Sequence, residues 1–410
     1  MITYQEIQLK NALKIVLVPL NYSHSVIVSV FIRAGSRYED QKTTGLGHLL
    51  EHVLFRAPEK ELNKIAGHLE ASIFQEYTYY QFSIMPEYIQ QGISILSNIL
   101  QNHVFKKQII KAEKSIIQEE ILSYQNKKNQ DINLDELTNS LLWPKTNLSL
   151  RVLGEKQQIK KFNKKDLQQY WQNFYVPNNM VLCVVGSFNP DKCSRLIKKA
   201  FNSWKRGEIT KTDKVKLKQT KPRYSFVQNT SSQIEARLAW PVFSYNDPRY
   251  ETLSLLNTIL DIRVKKHICS EQGLVYNIYS DFTTFSDTGF LNIDFNVNPA
   301  KLIKILKKII KLIKKKITKQ ELVQAKMINK RDLIFDLDNP KVLAVMFGRD
   351  KLLNCFKEPE QALKEIEKID IANVQKLVQE ILIYKKLNLI IIGSYKKEGK
   401  ENILKIIQAY

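Results

Sequence analysis

No apolar run in this sequence approaches the 18 or so residues that a membrane-spanning helix needs, and Met1 to Lys10 show no basic stretch leading into an apolar one. Neither a transmembrane segment nor a secretory leader is expected, and the expected location is cytoplasmic. Cysteine is scarce: Cys183, Cys193, Cys269 and Cys355 are scattered with no C-x-x-C. That spacing excludes a disulfide framework and a thiolate metal site, and Cys183, inside an apolar run, reads as a core residue. Acidic residues are short, 41 Asp and Glu against 63 Lys and Arg, which leaves a net charge of +22. Such an excess invites a nucleic-acid reading. No nucleic-acid motif accompanies it and the lysines spread over helices throughout, so no nucleic-acid partner is expected. An acidic partner or anionic membrane surface stays compatible with the charge.

A chain of 410 residues that is 44% hydrophobic is long enough for two domains with substantial cores. The informative stretch is His48-Leu49-Leu50-Glu51-His52, inside the apolar run Gly45 to Phe55. On a helix, residues four apart are neighbours, with Cβ atoms about 5–6 Å apart. His48 and His52 can therefore grip one metal ion, with Glu51 placed to take a proton from a water on it. The pattern is H-x-x-E-H, the inverted zinc motif. From five residues alone, a metal site and a chance pairing both stay open.

Two imidazoles are also too few, because a catalytic zinc takes three protein ligands and a water. Glu113 and Glu120, in the amphipathic stretch Phe105 to Tyr124, are seven apart and share one helix face. Glu119 is turned away by the 3.6-residue period. Glu120 is the expected third ligand, and Glu113 the carboxylate that orients a ligand histidine. Without the upstream motif, both would read as solvated charges among lysines.

At this point the chain resembles the pitrilysin/insulinase zinc peptidases. Gly47 to Arg56 resembles their metal helix, Ala34 to Glu39 the segment before it, and Glu113 to Glu120 their paired-glutamate helix. Glu76 to Tyr80 resembles the strand between, and Gly273-Leu274-Val275-Tyr276 a segment of the second half. The length is similar to the half-size branch, which includes mitochondrial processing peptidase subunits and bacterial relatives.

The resemblance implies one Zn²⁺ per chain on His48, His52 and Glu120, with Glu51 as general base and acid. It implies that an extended substrate adds beside a sheet edge at Glu70 and Ala71, where the family's usual asparagine is Glu70 and its usual threonine Ile73. That change suggests an extra negative charge by the cleft. It further implies that Tyr276 binds substrate or the oxyanion. The family's arginine seven residues earlier is Cys269 here, so Arg263 or a partner chain is the expected substitute.

Along the chain, Ala12–Leu20 and Ser25–Ala34 read as strands. Thr43 and Thr44 are expected to cap the metal helix, with Gly45 and Gly47 allowing close backbone packing. Ser72 to Met85 reads as one strand, with Glu76, Thr78 and Tyr80 on one face. Glu87–Asn102, Leu134–Leu142 and Lys164–Phe174 read as helices, the last capped by Asn163, and Met180–Val185 reads as a strand. His24 reads as a turn residue, and His68 and His103 as surface residues.

Phe162 to Phe188 then aligns without gaps to Ile369 to Tyr395 at a constant offset of 207. An internal duplication of about 200 residues follows: a catalytic domain over 1–204, a linker over 205–223 and a repeat over 224–410. The second copy has no H-x-x-E-H, and carries Lys326 and Asp332 near the glutamate positions. Lys301 to Lys316 holds eight lysines on an amphipathic pattern, a helix with its apolar face on its own sheet in preference to a membrane-lying one.

The expected architecture is α+β: two homologous domains, each a mainly antiparallel sheet with helices on one face, facing each other across a peptide-binding cleft. The expected function is a zinc endopeptidase cleaving extended peptides or targeting segments in a clam-like chamber, paired as a homodimer or with a related chain. The rival is a catalytically impaired peptide-binding or scaffold subunit of a heterodimer.

Overall fold

The computed structural model describes residues 2–215, 219–270, 275–395 and 397–408. The first half runs β1 (Gln5–Gln8), β2 (Lys14–Pro19), β3 (Val26–Ile32), α1 (Leu46–Arg56), α2 (Glu59–Asn63), β4 (His68–Ile73) and β5 (Thr78–Ile84). It continues through α3 (Ile89–Gln101), α4 (Lys107–Ser123), α5 (Leu134–Leu142), α6 (Lys156–Lys161), α7 (Lys164–Phe174), β6 (Met180–Gly186) and α8 (Pro190–Phe201). The second half runs β7 (Arg223–Gln228), β8 (Ile234–Val242), α9 (Tyr250–Val264), β9 (Asn277–Thr284), β10 (Gly289–Val297) and α10 (Leu302–Ile313). It ends with α11 (Lys319–Asp336), α12 (Pro340–Leu353), α13 (Pro359–Lys368), α14 (Ile371–Ile381), β11 (Asn388–Gly393) and α15 (Lys397–Gln408).

Two compact units result. Neither is contiguous in sequence: one comprises Met1–Ser123, Leu150–Asp213 and Ile334–Lys357, the other Tyr124–Ser149, Lys214–Leu333 and Glu358–Tyr410. The first unit holds a six-stranded sheet, β1-β2-β6-β3-β5-β4, antiparallel except for the β2–β6 pair. Strand alternation sends Ile15, Leu17, Val28, Val30, Leu182 and Val184 to the side covered by α1, α3, α4, α7 and α8. Val16, Val18, Ile27, Phe31, Val181 and Cys183 face the other side, onto Leu343, Ala344 and Phe347 of α12. Both faces of the central strands are buried, and each strand is correspondingly apolar along its length.

The second unit holds a five-stranded sheet, β7-β11-β8-β10-β9, with β7 and β11 parallel. Its main core lies with α9, α10 and α14, and Leu134, Leu137 and Leu141 of α5 pack on the opposite face against Val227, Ile390 and Ile392. In each unit the helix on that opposite face comes from the other half of the sequence. This exchange was not expected from the sequence, because an apolar helix face does not name the sheet it covers.

The repeat is evident in detail. Residues Lys164–Phe174 and Ile371–Ile381 are both helical, capped by Asn163 and Asp370 through the same reciprocal capping box, which satisfies backbone N–H groups at each start. Gly186 and Gly393 both end a strand at positive φ, 126° and 144°. The lysine-rich α10 buries Leu302, Ile305, Leu306, Ile309 and Ile313 in its own unit and leaves Lys304, Lys307 and Lys311 exposed. Among the described residues no helix is long and apolar enough to cross a membrane.

One expected strand is a hairpin. β4 and β5 pair from His68↔Ser83 to Ile73↔Thr78, and the chain reverses between them. Glu76 sits in that turn, buried and 2.6 Å from Arg37, so it does not share a strand face with Thr78 and Tyr80. The aromatic turn residues Phe74 and Tyr77, stacked with centroids 4.8 Å apart, hide the reversal because they lack the usual Gly, Pro or Asn signal.

Phe347 is fully buried beneath the first sheet. Phe347→Ala is expected to cost about 3–5 kcal/mol of unfolding free energy, read as a lowered urea midpoint. Lys304→Ala, on the exposed face of α10, is expected to shift it by less than about 0.5 kcal/mol.

Candidate metal and catalytic site

Helix α1 carries His48 and His52 one turn apart, their ring centroids separated by 4.7 Å. Helix α4 packs against it and presents Glu113 and Glu120 to the same place, while Glu119 is exposed. The two histidine Nε2 atoms converge on one oxygen of Glu120, 3.7 Å from His48 and 3.8 Å from His52. These separations are too long for hydrogen bonds. They lie near the ligand–ligand edge of a zinc tetrahedron, about 3.4 Å for bonds of about 2.1 Å. One ligand atom from each residue lies within 4.8 Å of the others, in the one such group among the described residues.

The histidines are held differently. His52 Nδ1 is 3.0 Å from Glu113 Oε2, and the other Glu113 oxygen accepts from Arg56 Nε at 3.0 Å. A proton held on Nδ1 by a carboxylate leaves the Nε2 lone pair for a metal. His48 is buried, its Nδ1 makes no hydrogen bond, and the backbone of Leu153 lies beside the ring. Burial, then the neighbouring His52, pull the His48 pKa down to about 3, so this ring is neutral near pH 7, the form that ligates metals.

Glu51 is buried beside the pair. Burial pushes its carboxyl up to about 7; His52 opposes the rise, while Glu120 and Glu113 add to it. A proton acceptor works best when its pKa lies near the working pH, and a nearby dication would draw the value down again. Burial also raises the Glu120 pKa above the usual carboxylate range. Charge repulsion from Glu51 reaches Tyr80 and Tyr175, whose buried hydroxyls lie 3.0 Å apart. Sequence reasoning missed Tyr175 here; no spacing rule connects it to α1.

Other expectations need correction. Thr43 and Thr44 do not cap α1. Thr43 bonds Asp40, and Thr44 donates to the Arg151 carbonyl at 3.3 Å. Gly45 stands at the N-cap just before the helix, in the left-handed region with φ 84°, and the Glu39 carboxylate accepts from the Gly45 and Gly47 amides at 2.8 and 2.7 Å.

β4 is the edge strand of its sheet. Ile73 reaches the α1 face, where its Cδ1 would lie 2.7 Å from a Cβ placed on Gly47, and Ala71 shares that side by the two-residue period. Glu70 faces the other way and pairs with Lys341 of α12, with Gln81 Nε2 at 3.3 Å. The expected extra negative charge is thus offset by a lysine. His68 is exposed, but His103 is half-buried, its ring edge-on to Phe105 with centroids 4.6 Å apart.

Tyr276 belongs to the second unit, 84% exposed at the entry to β9; Gly273 and Leu274 lie outside the described residues. Arg263 is not a spare substrate cation. It is buried, ion-paired with Glu321 at 2.5 Å, and donates to the Leu312, Lys315 and Lys316 carbonyls. In the order of elements α9 and α11 stand where α1 and α4 stand in the first unit. There Asn329 bridges Ser254 at 2.8 Å and Thr258 at 2.6 Å, a neutral hydrogen-bonded cluster. Lys326 donates to the Glu367 carbonyl, and Asp332 pairs with Arg331.

A duplicated α+β fold with an inverted two-histidine motif and a glutamate supplied by a second helix defines the class of zinc-protease-like proteins. The chain belongs to peptidase family M16, the insulinase family. Residues 14–156 match the profile described as Insulinase (Peptidase family M16), and residues 161–329 match the one described as Peptidase M16 inactive domain. The uncharacterized zinc protease YmxG of Bacillus subtilis is 23% identical over 91% of this chain and 94% of its own. A probable mitochondrial-processing peptidase subunit beta of Arabidopsis thaliana is 25% identical over 89% of this chain and 74% of its own. Among solved structures, a protease from Helicobacter pylori superposes with TM-score 0.87 at 20% identity, covering 96% of this chain and all of that one. That likeness shows the shared fold.

Glu113→Ala removes the carboxylate that holds the His52 ring and leaves Arg56 to Glu59, 3.6 Å away. Zinc affinity, measured by competition with a chromophoric chelator, is expected to fall about 10–100-fold, while Glu119→Ala leaves it unchanged.

Proposed function

We propose that this chain is a zinc-dependent endopeptidase acting on extended peptides or targeting segments, with one Zn²⁺ held by His48, His52 and Glu120. The observation that supports this most is the convergence of both Nε2 atoms on a single Glu120 oxygen at non-hydrogen-bonding distance. When bound, zinc supplies Lewis-acid charge that acidifies water and polarises a carbonyl. Glu51 takes the proton of the attacking water and returns it to the departing amine as the C–N bond breaks. The exposed N–H and C=O groups along the β4 edge give an extended peptide a strand to pair with, and Ala71, small and on the α1 side, leaves room for it. Tyr276 is assigned a hydrogen bond to substrate or oxyanion through its exposed hydroxyl.

The relatives named as mitochondrial-processing peptidase beta subunits support pairing with a second chain, identical or related, and Cys269 leaves an opening for a cation from that partner. The same cysteine, with the match of 161–329 to an inactive domain, favours the second reading, a peptide-holding subunit.

A Glu51→Gln comparison separates them. The parent, alone or with a related chain, is expected to cleave unfolded peptides with one zinc bound. Glu51→Gln is expected to keep the zinc and lose about 10²–10⁴-fold in kcat. A parent that binds peptides at micromolar affinity and cleaves none under either condition assigns the scaffold role instead.

A further inference from the structure

Glu39 is a buried carboxyl of the first unit, and burial pushes its pKa up to about 8 against the opposing pull of the Gly47 and Gly45 amides. It is 3% exposed, and no cation pairs with it among the described residues. Burying a carboxylate without a counter-charge is costly. What faces it instead is the start of α1. Its Oε2 accepts from the Gly45 amide at 2.8 Å and its Oε1 from the Gly47 amide at 2.7 Å. These are N–H groups that a helix start otherwise leaves unsatisfied, at the end where the helix dipole favours an anion. Both oxygens are used, one on each amide. The Tyr170 hydroxyl lies beside the same carboxylate without closing a hydrogen bond.

The glycines follow from this contact. A Cβ on Gly47 would stand 2.9 Å from Glu39 Oε1 and 2.6 Å from the Tyr170 hydroxyl. A Cβ on Gly45 would stand 2.6 Å from the Gly154 Cα, and Gly45 is in the left-handed region. Gly154 follows Leu153, whose backbone lies beside the His48 ring. The first turn of α1 is therefore held by a carboxylate on its amides and by a loop backbone at its side.

His48 is the next residue after Gly47. His52 has Glu113 to fix its ring, whereas His48 has no carboxylate on Nδ1, so its direction depends on the backbone that bears it. We infer that Glu39 is a positioning residue for the metal site, clamping the first turn of α1 so that His48 Nε2 points to the place shared with His52 and Glu120. This rests on the zinc reading above and adds a residue outside the H-x-x-E-H stretch to what sets metal affinity.

Glu39→Gln is the test, in the full-length protein. A glutamine has one acceptor oxygen, and its NH₂ would oppose the second amide. Zinc affinity by chelator competition is expected to fall about 10-fold or more, and the visible spectrum of the Co²⁺-loaded protein is expected to change as the ligand geometry loosens. Melting of the metal-free protein, followed in parallel, reports any purely structural part. Zinc affinity and Co²⁺ spectrum equal to the parent overturn the inference, whether or not the melting temperature falls. If Glu39→Gln does not fold, Glu39→Asp keeps the carboxyl but shortens the reach by one methylene. A several-fold loss of zinc affinity supports the clamp, and parental affinity overturns it. A parent that binds no zinc removes the zinc reading and this inference together, whereas a zinc-binding parent matched by its Glu39 variants removes only the inference.

Discussion

Everything at the candidate site depends on the contact between α1 and α4. Two imidazoles from one helix and one carboxylate from the other meet only if these helices pack in one register. A slip of α4 by one residue would rotate Glu120 about 100° around its axis and bring a neighbouring side chain into its place. That register is set by apolar packing, with Leu49, Leu50 and Val53 of α1 and Ile110, Ile117 and Ile121 of α4 in one core. It is reinforced by Glu113, whose two oxygens reach His52 and Arg56. The same helix face thus combines packing and chemistry.

The two units show what duplication leaves once the chemistry is removed. In the second, the corresponding helix pair is joined by Ser254, Thr258 and Asn329. A neutral cluster that satisfies its own donors needs no ion, whereas the Nε2 atoms of two imidazoles, each 3.7–3.8 Å from one carboxylate oxygen, face a common point with no hydrogen bond between them. Arg263, buried on Glu321 and three carbonyls, shows the same economy: a cation near a functional segment is not automatically a functional cation.

Much of the site was legible because helical spacing is a local rule. His48 and His52 one turn apart, and Glu113 and Glu120 two turns apart, are placed by the 3.6-residue period before any tertiary contact forms. The capping of α7 by Asn163 is local in the same way. What failed was less local. The β4–β5 reversal passes through aromatic residues instead of a glycine or asparagine turn. The cap of α1 comes from Glu39, six residues before Gly45, past two threonines that looked better suited. Glu70 reads as a bare charge until Lys341, 271 residues away, is folded against it.

The sequence alone therefore determined many of the helices and strands, the internal repeat and the residue types of the candidate metal site, since each is written in short-range periodicity or self-similarity. Only the tertiary structure decided which charges are neutralised, which carboxylate caps α1, and which sheet each of α5 and α12 covers. Those outcomes rest on contacts between residues tens to hundreds of positions apart. An apolar face or a buried charge states a need for a partner, and the packed chain supplies its identity.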